Sequence, residues 1–276
     1  MQRLIPALIV AVCFVAHSSR AATLVSRYEF EGNLDPSTGS VALTPGVDPV
    51  QYEPVTLGGV TGQAARWSQA GPLQEQFFTV SNPIGANGGG SFTNQYSVVM
   101  DVKFPQAGAN GGFTSLAQTS ADPHGSDADL FVRGDGGMGI SGNYTDTTNP
   151  LRFTYGPYHR VAWVVDTTTP AGNDATAYRV YVDGQLMNIV QSPSGWGVDG
   201  RYSLGDVFHV FADEDGETNG GSVSTLMLFD GALSAAEVAA LGGPEAAGTV
   251  PEPATAGLAL LIGGALSLRR RSRHGL

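Results

Sequence analysis

In QYSVVMDVKF the side chains of Val98, Met100, Val102 and Phe104 fall on one face of an extended chain, and Ser97, Asp101 and Lys103 fall on the other. That period of two predicts a half-buried strand whose second face meets water. LVSRYEFE repeats the pattern, with Leu24, Tyr28 and Phe30 alternating with Arg27, Glu29 and Glu31. YRVYVDGQLM sets Tyr178, Val180 and Val182 on one face just ahead of Asp183-Gly184, a two-residue hairpin signal. Further strands are predicted over 48–57, 62–68, 76–81, 112–118, 128–133, 158–166, 205–212 and 222–229. Asn-Gly-Gly groups at Asn87, Asn110 and Asn219 punctuate them as turns. One helix is expected, in LSAAEVAALGG. Ser234 and Glu237 form a capping box, Leu233 and Val238 hold the staple positions, and Gly242 suits the residue after the C-cap. Many short strands closed by one late helix predict an all-β sandwich or jelly roll of two antiparallel sheets, and no repeat of about 20 to 50 residues suggests a propeller or solenoid.

Both ends depart from this pattern. Arg3, the apolar run Leu4 to Ala16 and the small-residue stretch HSSRAA have the layout of a secretory signal peptide over residues 1–21, cleaved after Ala21. Cys13, the only cysteine, lies inside it, so no disulfide is expected in the exported body. Residues 246–276 contain Pro251-Glu252-Pro253, an apolar stretch from Ala254 to Leu268 and the basic residues Arg269, Arg270, Arg271 and Arg273. This tail resembles the PEP-CTERM sorting signal of exported Gram-negative bacterial proteins. The resemblance implies a transient membrane stop processed by a sorting protease of the exosortase type, leaving the body at the envelope, the cell surface or the extracellular matrix. By length alone, the hydrophobic helix over 254–268 is marginal against the ~20 residues that span a bilayer.

Residues 22–245 then form one domain. From residue 23 to 245, 24 carboxylates face 8 basic side chains, and Lys103 is the only lysine. Such a surface repels phosphate backbones, so nucleic acid is excluded as a partner class, while cations and neutral ligands are favoured.

YEFEGNLDPSTG, YHRVAWVVD, YRVYVDGQL and HVFADEDGETNGGSVSTLMLFDGALSAAEVAALGGP, taken in order, resemble the laminin-G-like, concanavalin A-like jelly-roll domains of bacterial surface proteins. The resemblance implies two packed antiparallel sheets, a structural Ca2+ at a loop edge, and recognition of sugars or matrix proteins. On the same fold it also covers some relatives that hydrolyse polysaccharides.

The run ADEDGETNGG, 212–221, carries the candidate chemistry. On a strand Asp213, Asp215 and Glu217 would share a face, and paired carboxylates are what glycoside hydrolysis needs. The residues between them are Glu214 and Gly216, however, and Asp-Gly followed by Thr-Asn-Gly-Gly is turn chemistry with nothing apolar to raise one carboxyl's pKa. No catalytic residue is assigned on this reading. Hard cations take several oxygens from a loop that can wrap, which fits Ca2+ held by Asp213, Asp215 and Glu217. Phe211 and Ser222 occupy the end positions an EF-hand would need to fill with acids, so the stretch is not one. The family resemblance adds Asp35 as a further ligand; otherwise these acids are solvated loop charges. Gly134, Gly136 and Gly139 spell a dinucleotide pattern but join two strands with no helix after them. Among the aromatics, Trp163 reads as core and Trp67 has an ambiguous face. Trp196, in SPSGWGVDG between glycines, can stack on a sugar ring or fold back and be buried. The expectation is a non-catalytic extracellular module for a neutral glycan or matrix component. The alternatives are a polysaccharide hydrolase or lyase on the same fold, and a ligand-free structural protein.

Overall fold

The computed structural model describes residues 21–46, 50–68, 78–108, 112–119, 129–140, 143–145, 148, 152–169, 177–189, 195–213 and 217–246. The predicted signal peptide, apart from Ala21, and nearly all of the sorting tail lie outside the described residues. Among those described, no helix is long and apolar enough to cross a membrane.

Two antiparallel sheets account for almost all regular structure. The larger contains β1 (Leu24–Tyr28), β2 (Pro36–Thr38), β4 (Gln51–Leu57), β5 (Val60–Trp67), β7 (Gln95–Lys103), β12 (His159–Asp166), β13 (Tyr178–Val182), β14 (Gln185–Ile189) and β16 (Gly221–Phe229). Its order is β14-β13-β12-β7-β16-β1-β2, and β16 also pairs through its first residues with β5, which carries β4. The smaller sheet runs β11 (Asn143–Tyr144), β10 (Met138–Ile140), β9 (Asp129–Val132), β8 (Thr114–Gln118), β15 (Val207–Val210), β6 (Phe78–Ser81), β3 (Thr44–Pro45). Chain order and spatial order therefore differ sharply. β1, the first strand, meets β16, the last, with Leu24 opposite Phe229 and Tyr28 opposite Leu226.

Alternation along β7 builds the core. Tyr96, Val98, Met100, Val102 and Phe104 point between the sheets, where they meet Trp163, Tyr178, Val180, Phe208 and Leu226. Trp163 is fully buried between Tyr96 and Tyr178, both edge-on to it. The other face of β7 corrects the sequence expectation. Ser97, Val99 and Asp101 are fully buried, and only the end residues Gln95 and Lys103 are partly exposed. The chain after β16 folds back over this face: α1 (Ala235–Ala240) places Val238, with Leu233 and Leu241 beside it, on Val99, Ala162, Val164 and Met227. The expected capping box is present, Glu237 N–H donating to Ser234 Oγ at 3.2 Å and Ser234 N–H to Glu237 Oε2 at 2.7 Å. Six residues cannot form a stable helix alone, so the buried Val238 face and the cap hold it.

Ser97 and the Asp101–Arg160 pair find partners within this covered face. Ser97 Oγ donates to Gly231 O and accepts from Leu233 N–H. Arg160, 1 % exposed, donates to Asp101 through two bonds of 2.7 Å and to Leu241 O, and Glu245 N–H donates to the same carboxylate at 3.1 Å.

The β13–β14 hairpin turns at Asp183-Gly184, both at positive φ, the geometry a type I′ turn needs. Asp183, partly exposed, also accepts from Arg160 N–H at 2.8 Å and lies 2.8 Å from His159 Nδ1. Burial pushes its carboxyl up, but the bonds from His159 and Arg160 outweigh that and hold it below the usual range. A carboxyl lowered by folding adds stability above its unfolded pKa, near 4, and loses it as pH falls through the folded value. Asp183→Asn keeps the turn, since Asn tolerates positive φ, and should flatten the acid limb of the stability curve below about pH 4. An acid limb identical to the parent's in urea melts at several pH values would refute this.

Candidate functional site

The acidic run lies where the chain crosses from the smaller sheet to the larger. β15 ends at Val210, Phe211 takes φ +64, and β16 begins at Gly221. Asp213 turns inward, 3 % exposed, and accepts from Glu217 N–H at 2.7 Å. Glu217 O accepts from Ser115 N–H at 2.7 Å, Asn219 Nδ2 donates to Gln106 O, and Asn219 O accepts from Trp67 Nε1 at 2.8 Å. Residues 214–216, with Asp215, lie outside the described residues. Asp35 is exposed on the β1–β2 turn, its N–H donating to Asn33 Oδ1. Among the described residues no three His, Cys, Asp or Glu side chains gather to hold an ion. The described part of the loop therefore supplies two anchored acidic residues, Asp213 and Glu217, and does not by itself make an ion cage.

Trp196 sits at the opposite end of the sandwich. Its ring is half-buried against Tyr202 at 5.3 Å and edge-on to Tyr178 at 6.2 Å, and its Nε1 donates to Thr169 O at 3.1 Å. His209, buried on β15, pairs with Thr79 Oγ1 at 3.2 Å.

The aromatic beside the acidic run is Trp67, the last residue of β5. It stacks on Phe211 at 4.5 Å and 25° and stands edge-on to Phe78 and Phe104. Next to it opens a cleft of about 360 Å³, lined by Glu53, Arg66, Trp67, Lys103, Gln106, Asn219 and Ser222 among others. That volume is within the range that small ligands use. Strand pairing explains the gathering. Gln51 lies opposite Arg66, and Gly221 lies opposite Trp67, so one edge of β4, β5 and β16 lines the opening. Gly221 has no room for a Cβ, which would come within 2.7 Å of Phe104 and 2.9 Å of Lys103 O.

Glu53 is the charge centre of the cleft. Its Oε1 accepts from Ser222 Oγ at 2.6 Å and Lys103 Nζ at 3.2 Å, and Oε2 lies 3.7 Å from Arg66 Nε. Burial pushes its carboxyl up, yet these partners hold it below the usual range. Lys103 Nζ also stands 5.1 Å over the Tyr158 ring, whose hydroxyl burial pushes up to about 12. Arg66 is the least constrained of the polar set, its side chain 57 % exposed. Sequence reasoning missed this group because it joins the β4–β5 hairpin to the ends of β7 and β16, which lie far from it in the chain. The usable signals were the single lysine at the end of β7 and a Trp closing a strand.

Removing only the indole N–H tests how tightly Trp67 ties the loop. Trp67→Phe should cost about 1 kcal/mol through the unpaired Asn219 carbonyl, seen as a lower urea midpoint. An unchanged midpoint would mean that the bond contributes nothing.

Solved structures share this architecture. Domain 4 of AbnA, a GH43 extracellular arabinanase from Geobacillus stearothermophilus solved in complex with arabinotriose, superposes with TM-score 0.52 at 18% identity, covering 80% of this chain and 98% of that domain. The chain is a jelly-roll-like β-sandwich of two antiparallel sheets. The receptor-binding domain of botulinum neurotoxin D matches with TM-score 0.53 at 14% identity, and the binding domain of Paraclostridial Mosquitocidal Protein 1 with 0.53 at 12%. Each covers 79% of this chain and 51% of the toxin domain, so the chain spans about half of those domains. At these identities the likeness concerns the fold. No family model matches the chain, and no curated protein does.

Proposed function

We propose that this protein is an exported, non-catalytic binding module of the laminin-G-like kind, taking a neutral glycan or a glycan-bearing matrix component in the cleft beside Trp67. The observation that carries the reading is the cleft itself. An indole edge and apolar walls meet sugar C–H faces, and Arg66, Gln106, Asn219, Ser222 and Glu53 offer donors and acceptors around them. The complex of the similar arabinanase domain with arabinotriose supports a saccharide as the ligand class. Glu53 is the one carboxylate among the described lining residues, and it is engaged by Ser222, Lys103 and Arg66. The described lining thus offers no second carboxylate of the kind glycoside hydrolysis requires.

A glycan array followed by calorimetry tests the site. Arg66→Ala should lower affinity for the captured glycan by about tenfold, equivalent to one lost charge-assisted hydrogen bond, with the melting temperature unchanged. Affinity equal to the parent's would remove the cleft from the proposal, and reducing ends released from the bound polysaccharide would replace the module with a hydrolase.

Calcium belongs to this reading as a ligand of Asp213, Asp215 and Glu217, motivated by acids packed densely enough to repel one another. Calorimetric titration of the protein and of Asp215→Asn with calcium decides it. Heat that disappears in the variant supports the site, and a flat titration of the parent removes calcium. Sorting rests on Pro251-Glu252-Pro253, the apolar stretch and Arg269, Arg270 and Arg271. A mature protein that still carries the Arg cluster by mass would refute processing.

A further inference from the structure

A second cleft, of about 240 Å³, opens at the other end of the sandwich between residues 82–86, 91–93 and 204–206. β7 connects the two ends: Lys103 lines the Trp67 cleft, and Thr93, two residues before the strand starts, lines this one. Nine residues at about 3.3 Å each put the openings more than about 25 Å apart.

The walls are held rigidly. Thr93 and Leu204 exchange two backbone bonds of 3.0 Å, Asn82 N–H donates to Asp206 O at 2.9 Å, and Asn82 Nδ2 donates to Gly205 O at 2.8 Å and Thr93 Oγ1 at 3.0 Å. Asp199 fixes the rim, its two oxygens accepting from Ser91 N–H at 2.7 Å and Phe92 N–H at 2.9 Å. On this fixed frame Phe92 is 45 % exposed, and so is Val198. A large aromatic left in water by a well-ordered loop is an unusual use of a side chain that ordinarily buries. Across the cleft Asp206 is exposed and makes no side-chain hydrogen bond or ion pair among the described residues. Two lining glycines complete the shape: a Cβ built on Gly85 or Gly205 meets nothing within 4 Å, and neither residue has positive φ.

An aromatic face, an unengaged carboxylate and a small open volume form a set suited to a sugar ring. The ring's C–H face stacks on the aromatic and its hydroxyls donate to the carboxylate, with the backbone carbonyls around them available as further acceptors. We propose that the Phe92–Asp206 cleft is a second saccharide site, for a neutral sugar, so that one domain can bridge two glycan chains or two points of one chain. A uronate is disfavoured because its carboxylate would face Asp206. The proposal shares with the functional reading above the premise of glycan binding, but neither its residues nor its cleft.

The test is amide chemical-shift mapping on the 15N-labelled full chain, with arabinotriose, xylotriose, cellotriose and trigalacturonate as probes. At least one neutral trisaccharide should shift residues 84–93 and 204–206, and trigalacturonate should not. Phe92→Ala and Asp206→Asn should each weaken that binding by about tenfold. Gly205→Leu, which fills the opening without strain, should abolish it with the fold and melting temperature intact. Arg66→Ala should leave these shifts as they are. Shifts confined to Trp67, Gln106 and 219–222 would overturn the second site and leave the first standing, and shifts confined to 84–93 and 204–206 would do the reverse. Preferred binding of trigalacturonate, or no shifts with any probe, would also overturn the proposal.

Discussion

Arg160→Met is expected to cost about 3–5 kcal/mol of folding stability, because it strands a buried carboxylate. Asp101 is wholly enclosed, and burial pushes its carboxyl up against the pull of the guanidinium that clasps it. Without Arg160 the carboxylate keeps one bond, from Glu245 N–H, and Leu241 O loses its donor. The loss should therefore grow as pH rises from the carboxyl's unfolded pKa, about 4, through its raised folded value and level off above it, since at low pH the stranded group takes up a proton. Asp101→Leu combined with Arg160→Met should recover much of the loss, as two apolar chains can share the pocket that neither lone charge tolerates. Urea melts of the parent, the two single variants and the double variant settle the matter. A double variant as damaged as the sum of the two singles would show that the pair contributes through packing rather than charge.

Asn94→Ala should be nearly as damaging, at about 3 kcal/mol or more, because several buried groups lose their partner at once. The Asn94 side chain is a hub. Oδ1 accepts from Thr167 Oγ1 at 2.8 Å, Asp199 N–H at 2.8 Å and Ser203 Oγ at 2.7 Å, while Nδ2 donates to Asn87 O, Phe92 O and Asp199 Oδ1. Those partners belong to three loops at one end of the sandwich, so the variant should also blur the amide signals of Ser91, Phe92 and Asp199 while leaving those of Trp67 and Asn219 sharp. Uniform destabilisation with both ends equally affected would show that Asn94 is only one of many core contacts.

The elements that could be read from the chain are those whose signal is local. Alternation located β1, β7 and β13, Asp183-Gly184 located the hairpin, and Ser234 with Glu237 located the helix. What escaped depends on pairing across distance. Asp101 occupies a position indistinguishable by pattern from a solvated one, and its true partners are 59 and 144 positions away. β2, β3, β10 and β11 are only two or three residues long, too short to show a period. The acidic run was read correctly as a connection between strands, but which of its acids turns inward followed from Ser115 and Glu217, not from the run itself. Phe92, in GGGSFTNQY, carries no signal of exposure, because its surroundings are set by Asp199 more than 100 residues later.

The central place of β16 has a consequence for the order of events as the chain matures. It lies between β7 and β1, and it also carries β5, so the larger sheet has no continuous middle until residues 221–229 are present. Nascent chains shorter than that hold β1 and β5 with the edges that pair with β16 open. Contacts of such sequence separation form slowly, since a long loop must close before any pairing rewards it. The larger sheet therefore closes last around β16, so a chain cut short before residue 221 leaves β1, β5 and β7 without the strand they share.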